Sequence, residues 1–378
     1  MVSSAAPERW PARMGGASPI PKRGVSSPMF RLLILGGTQF LGRHLVDAAV
    51  ARHHRVTLFT RGMTNPGLFP AVERLVGDRA GDLRALAGRH WDAVIDTSGY
   101  VPRLVRRTAL TLEGAVGHYS FVSSISVYSA PLTRGLDETH PTATRLDDPA
   151  TEDIRPATYG PLKARAETAV DGILPGRTLI IRPGIIVGPH DPSDRFSYWP
   201  WRLAHGGAVL APGRRRAPIQ VIDGRDLAHW MVTMAEAQAT GIYNAAGPAA
   251  PITMAGLLKT GRAALGADAE LNWVGDDFLL GQGLDIDRGM PAETLPLWLP
   301  AREKVLAGLF AIDSRRAIAA GLKFRPLAET FRDTADWLGT RDPARRWRTG
   351  LSLEREAALL TAWRQGRMVG HSAAKRTR

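Results

Sequence analysis

The chain contains no cysteine, which excludes disulfides, thiolate metal ligands and a cysteine nucleophile. Lysine is scarce, at six of the 49 basic residues. Long apolar runs are missing too. The strongest, residues 178–188, is broken by Arg182 and Pro183 and falls short of the roughly 18 residues that cross a bilayer. No P-loop, HExxH or G-x-S-x-G phrase occurs. The ten histidines show no metal-ligand spacing, and the adjacent His53 and His54 read as solvent-facing residues at a helix end.

Positive charge is what the chain has in excess, with a formal net of +13. Taken whole, that suggests nucleic acid or an anionic membrane surface. Its location argues otherwise. Residues 1–28 carry +3 and residues 341–378 carry +7, leaving +3 for residues 29–340. The body is nearly neutral, so its charge does not require nucleic acid. At 44% apolar and 22% charged residues, the composition is that of an ordinary globular protein.

Residues 1–28, with five prolines, read as a disordered N-terminal extension lacking the apolar core of a secretory signal. Apolar runs at 30–35, 55–60, 74–77, 92–96, 119–124 and 178–182 predict strands. Helical patterns over 41–52, 103–115 and 158–172 fall between them. This alternation predicts an α/β fold, a Rossmann-type doubly wound parallel sheet with a smaller C-terminal lobe. The sheet domain spans 29–183, with returning segments near 219–246. Residues 184–340 form mainly the second lobe, with helices near 226–237, 254–265, 314–320 and 327–338. Residues 341–378 read as a basic tail with one short helix near 353–363.

Four motifs carry chemistry. Gly36-Gly37-Thr38-Gln39-Phe40-Leu41-Gly42 closes the first strand and opens a helix. Glycines there permit a tight turn and close approach of backbone to a pyrophosphate at the helix N-terminus. The second strand ends Thr60-Arg61-Gly62 without a carboxylate for a ribose hydroxyl. Arg61 suits a 2′-phosphate, which favours NADP over NAD. Tyr159 and Lys163, four residues apart, share a helix face, where an ammonium lowers a phenol's pKa and makes it a usable acid/base. Ser123, Ser124 and Ser126 lie at the carboxyl end of the fifth strand, where α/β sheets bind ligands. Position alone does not choose among these hydroxyls.

Together these phrases, with Gly77-Asp78, Arg182-Pro183-Gly184, Gly188-Pro189 and residues 220–228, resemble the short-chain dehydrogenase/reductase superfamily. The match is to its extended or atypical epimerase/dehydratase-like branch, from about Phe30 to Leu338. The resemblance implies Ser124, Tyr159 and Lys163 as catalytic residues. Tyr159 would exchange a proton with a substrate oxygen, and Lys163 would hold the nicotinamide ribose. It implies cofactor contacts from Gly36, Thr38, Gln39, Phe40, Leu41, Gly42, Arg61, Asp78, Ser98, Tyr159, Lys163 and Pro183. No metal is implied.

There are departures from the pattern. Gln39 replaces the middle glycine of the G-x2-G-x2-G fingerprint. Asp96-Thr97-Ser98-Gly99-Tyr100 stands where the family commonly ends in Ala-Ala, so Tyr100 faces substrate or cofactor. Arg182, Arg225 and Arg214–Arg216 are either a diphosphate clamp or solvated loop arginines. The Gly-Gly-Thr-x-Phe-x-Gly and Thr-Leu-Phe-Thr-Arg-Gly phrases also resemble chloroplast stem-loop RNA-binding proteins, in which the Tyr-Lys pair is commonly lost. Its retention here favours an enzyme. The expectation is a cytoplasmic NAD(P)-dependent oxidoreductase, a reductase or a redox-neutral epimerase/dehydratase. It acts on a small polar, nucleotide-sugar-like substrate, with a homodimer as its assembly and no membrane or nucleic-acid partner.

Overall fold

The computed structural model describes residues 29–284, 293–342 and 344–376. The expected N-terminal extension therefore lies outside the described residues. The first half runs β1 (Arg31–Leu35), α1 (Leu41–Val50), β2 (Arg55–Thr60), β3 (Glu73–Val76), β4 (Trp91–Asp96), α2 (Pro102–Leu112), β5 (Val116–Val122), α3 (Pro156–Ile173) and β6 (Thr178–Pro183). The second half has shorter pieces. They are β7 (Ile185–Val187), α4 (Tyr198–Ala204), β8 (Gly207–Pro212), β9 (Pro218–Ile219), β10 (Val221–Asp223), α5 (Gly224–Glu236), β11 (Gly241–Ala245), β12 (Ile252–Thr253), α6 (Met254–Ala264), β13 (Ala269–Val274), α7 (Asp276–Gly281), α8 (Arg315–Ala319), α9 (Leu327–Gly339) and α10 (Leu353–Arg376).

Seven strands form one parallel sheet in the order β11-β6-β5-β4-β1-β2-β3. The chain winds outward in both directions from β1 and β4, whose registers pair Leu32 with Ala93 and Leu35 with Asp96. Where the winding reverses, the loops diverge and leave a crevice beyond the carboxyl ends. β1 shows why its run is wholly apolar. Leu32 and Ile34 pack with α1 and α5, whereas Leu33 and Leu35 pack with α2 and α3 on the opposite face.

The second half has its own core around Trp199, Leu210, Leu257 and Phe331. Caps fix its helices. The Asp223 carboxylate accepts from Arg225 N at the start of α5, and Thr253 does the same for Gly256 N at α6. No strand was named within the returning segment near 219–246, where β11 forms and pairs with β6. His54 also departs from expectation. It is 7% exposed and bonds the Glu236 carboxylate at 2.5 Å, tying the end of α1 to α5.

Candidate active site

A cleft of about 720 Å³ opens at the carboxyl ends of the sheet. Every residue named above for catalysis or cofactor contact lines it, from the glycine turn to Ser124, Tyr159, Lys163 and Pro183. The glycine turn is built for close approach. Gly36 has φ +109°, a region that L side chains avoid. A Cβ on Gly42 would stand 2.8 Å from the Gly37 backbone, closer than packing allows. Asn65, from the loop after β2, donates to the Thr38 carbonyl at 2.7 Å and clips the turn in place. Gln39 is exposed and lines the cleft without filling it.

These residues fit a dinucleotide. Besides the glycine cradle, Ser123 Oγ is buried with no hydrogen-bond partner among the described residues, yet it lines the same cleft. A buried hydroxyl left unmatched is costly, and a polar group bound in the cleft would satisfy it. Sequence reasoning had left Ser123 level with its neighbours. Ser124 takes a different part: its Oγ accepts from Ser126 N at 3.1 Å, and it lies close enough to the Tyr159 phenol to influence its titration.

The Tyr159–Lys163 pair departs from expectation in its electrostatics. Burial pushes the Tyr159 phenol up to about 12, with the nearby Tyr100 adding to the rise and Ser124 opposing it. Lys163 does not lower it. Burial pulls the lysine itself down to about 7, opposed by the Asp96 and Glu167 carboxylates. The ammonium points into the protein, where Nζ donates to the Gly99 carbonyl at 2.7 Å and to the Val122 carbonyl. It also lies 4.2 Å from the Phe121 ring centroid and 5.4 Å from that of Tyr100. Its third proton has no assigned acceptor among these contacts.

A buried network that no local sequence pattern reveals supports this end of the site. Arg79 grips Asp96 with two bonds of 2.8 Å, and the Tyr119 hydroxyl donates to Asp96 Oδ2 at 2.8 Å. Asp96 Oδ1 also accepts from Ser98 N, fixing the loop that carries Gly99 and Tyr100. Asp78, beside Arg79, lines the cleft and accepts from Ala80 N at 2.9 Å. Arg61 is exposed at the rim, with no ion pair among the described contacts.

The diphosphate clamp is not formed. Arg182 is buried and bound through Nε and Nη2 to both Glu167 oxygens, at 3.0 and 2.6 Å. Arg225 is held by Asp223 and Asp333. Arg214, Arg215 and Arg216 are exposed and outside the cleft lining. Among the described residues no cluster of His, Asp and Glu suits a metal ion, and no helix is long and apolar enough to cross a membrane.

No family model matches the chain. The bovine (Bos taurus) epimerase family protein SDR39U1 is 28% identical over 261 residues, covering 63% of this chain and 82% of the relative. The human SDR39U1 isoform 2, solved with NADPH, superposes with a TM-score of 0.53 at 22% identity. That match covers 81% of this chain and 99% of the relative. The Bordetella bronchiseptica enzyme WbmH, solved with NAD+, gives 0.59 at 17% identity over 83% of this chain and 99% of its own. The UDP-Glc/GlcNAc 4-epimerase of Campylobacter jejuni gives 0.59 at 13%, over 82% and 100%.

The chain thus shares its fold with these proteins and is similar in sequence to an epimerase family protein. Gln39 stands inside a turn whose glycines, Gly36, Gly37 and Gly42, also line the cleft. The inward-held Lys163 shows that the Tyr-x3-Lys spacing fixes a shared helix face without fixing where the ammonium points.

Proposed function

We propose that the protein is a cytoplasmic NAD(P)-dependent oxidoreductase acting at a hydroxyl or carbonyl carbon of a small-molecule substrate, as a reductase or a redox-neutral epimerase/dehydratase. One observation carries the reading. The Tyr159 phenol and Ser124 line the same cleft as the glycine turn. An epimerase family protein solved with NADPH and the enzyme WbmH solved with NAD+, both of similar fold, support it. RNA binding on this scaffold is the weaker reading, because the excess charge lies in residues 1–28 and 341–378 and leaves residues 29–340 nearly neutral.

The glycine turn and the N-terminus of α1 would hold the pyrophosphate, with Asp78 by the adenine and Pro183 by the nicotinamide. Arg61 favours NADP, since β2 ends without a carboxylate to take a ribose hydroxyl. When bound, the nicotinamide supplies or accepts a hydride. Tyr159 then handles the matching proton at the substrate oxygen. A phenol held near 12 stays protonated at neutral pH and suits donation to a carbonyl that is gaining charge. Ser124 orients that oxygen, and the free proton on Lys163 Nζ meets a ribose hydroxyl. The expected assembly is a homodimer through the helices that flank β4 and β5. Exchanging Tyr159 for Phe removes the proton donor and keeps the ring, so turnover should fall while cofactor binding persists. Unchanged turnover would contradict the mechanism.

A further inference from the structure

Tyr100 and Ile154 are 43% and 49% exposed, yet both line the cleft. Exposed apolar side chains that converge on one crevice mark a binding surface rather than chance. The Tyr100 ring centroid lies 6.3 Å from that of Tyr159, tilted by 42°. Its stem is rigid. The Gly99 carbonyl before it holds Lys163, and Val101 after it is buried at the start of α2. The Tyr100 hydroxyl makes no hydrogen bond among the described contacts, so the ring offers a free face and a free donor. Ile186 and Pro192 extend the apolar wall. Two of the arginines weighed as a diphosphate clamp are engaged elsewhere, Arg182 by Glu167 and Arg225 by Asp223 and Asp333, and Arg214, Arg215 and Arg216 lie outside the cleft lining.

We propose that Tyr100 contacts the substrate and determines specificity, selecting a weakly charged, ring-bearing ketone or alcohol over a nucleoside diphosphate sugar. The substrate ring packs between Tyr100 and Ile154, and its oxygen faces Tyr159 and Ser124. This deepens the oxidoreductase reading and rests on it.

The test is calorimetric titration of the protein–NADP+ complex with α-tetralone, a bicyclic ketone, and with UDP-glucose. The wild type, Tyr100→Phe and Tyr100→Ala are compared, each first shown to melt cooperatively. α-Tetralone should bind the wild type at least about tenfold more tightly than UDP-glucose. Tyr100→Ala should weaken it by about tenfold, as expected for a lost aromatic contact, and Tyr100→Phe by less. NADP+ affinity should fall less than tetralone affinity in both variants. Tighter binding of UDP-glucose, no binding of α-tetralone, or a Tyr100→Ala variant with wild-type tetralone affinity would overturn the proposal while leaving the cofactor reading standing. Failure of NADP+ to bind the wild type would overturn both.

Discussion

In the sheet half, Arg79, Asp96 and Lys163 bury their charges at the carboxyl ends of the strands, against the cleft. In the half after β6, Arg202, Arg225 and Arg341 bury theirs against Glu356, Asp223 and Asp194, and none of the six lines the cleft. The same chemistry serves two ends. A wide parallel sheet holds itself together by apolar packing on both faces, so Arg79 and Lys163 can line the cleft while Arg182, on β6, is engaged by Glu167. Apart from β11, the strands of the second half pair only two at a time, and two-stranded sheets are marginal without support. Ion pairs tie its loops and helices into one body.

This contrast can be broken from either side. The largest effect is expected in the sheet half, where Tyr159→Phe should lower turnover by roughly 10²- to 10⁴-fold, the usual contribution of a positioned proton donor. Steady-state kinetics beside a cofactor titration would separate lost chemistry from lost binding. In the second half, Glu356→Ala should cost about 3–5 kcal/mol in urea unfolding, because it strands Arg202 as an unpaired buried cation. Glu356 also accepts from Leu210 N at 2.7 Å, so the loss would detach α10 from β8. A cost below about 1 kcal/mol would mean that packing, not the ion pair, secures this half.

A smaller effect depends on pH. With Lys163 pulled down to about 7 by burial, the residue is an ammonium below that pH and a neutral amine above it. Binding of the anionic cofactor should therefore weaken as pH rises through about 7, and Lys163→Met should flatten that dependence. A wild-type profile flat from pH 6 to 8 would show that the ammonium is held charged by its two carbonyl acceptors.

What was legible in the sequence follows the same division. β2 has the bounds that its apolar run predicts, and the other expected strands of the sheet differ by one to three residues at an end. Burial on both faces demands a run that composition reveals. β11 went unread because Gly241–Ala245 mixes glycine, tyrosine and asparagine, and its place depends on β6, about sixty residues earlier. α4 was hidden by Pro200 within a tryptophan-rich stretch. In the site, residue types and spacing located Tyr159 and Lys163. The lysine's acceptors, by contrast, come from 64 and 41 residues away, and no local pattern encodes such contacts. The Arg79–Asp96–Tyr119 network was missed for the same reason. An Asp-Arg pair after a short strand reads as surface until β4 is laid beside it.

The central claim is that the glycine turn and Tyr159 share one cleft built for a dinucleotide. Fluorescence titration of NADPH into the wild type and a Gly42→Val variant tests it most directly. The added side chain would collide with the Gly37 backbone and spoil the turn. Saturable binding at one site per chain is expected in the wild type, with its loss in a variant that still shows the far-ultraviolet circular dichroism of the native fold. No saturable binding in the wild type, or binding indifferent to Gly42→Val, would contradict the account.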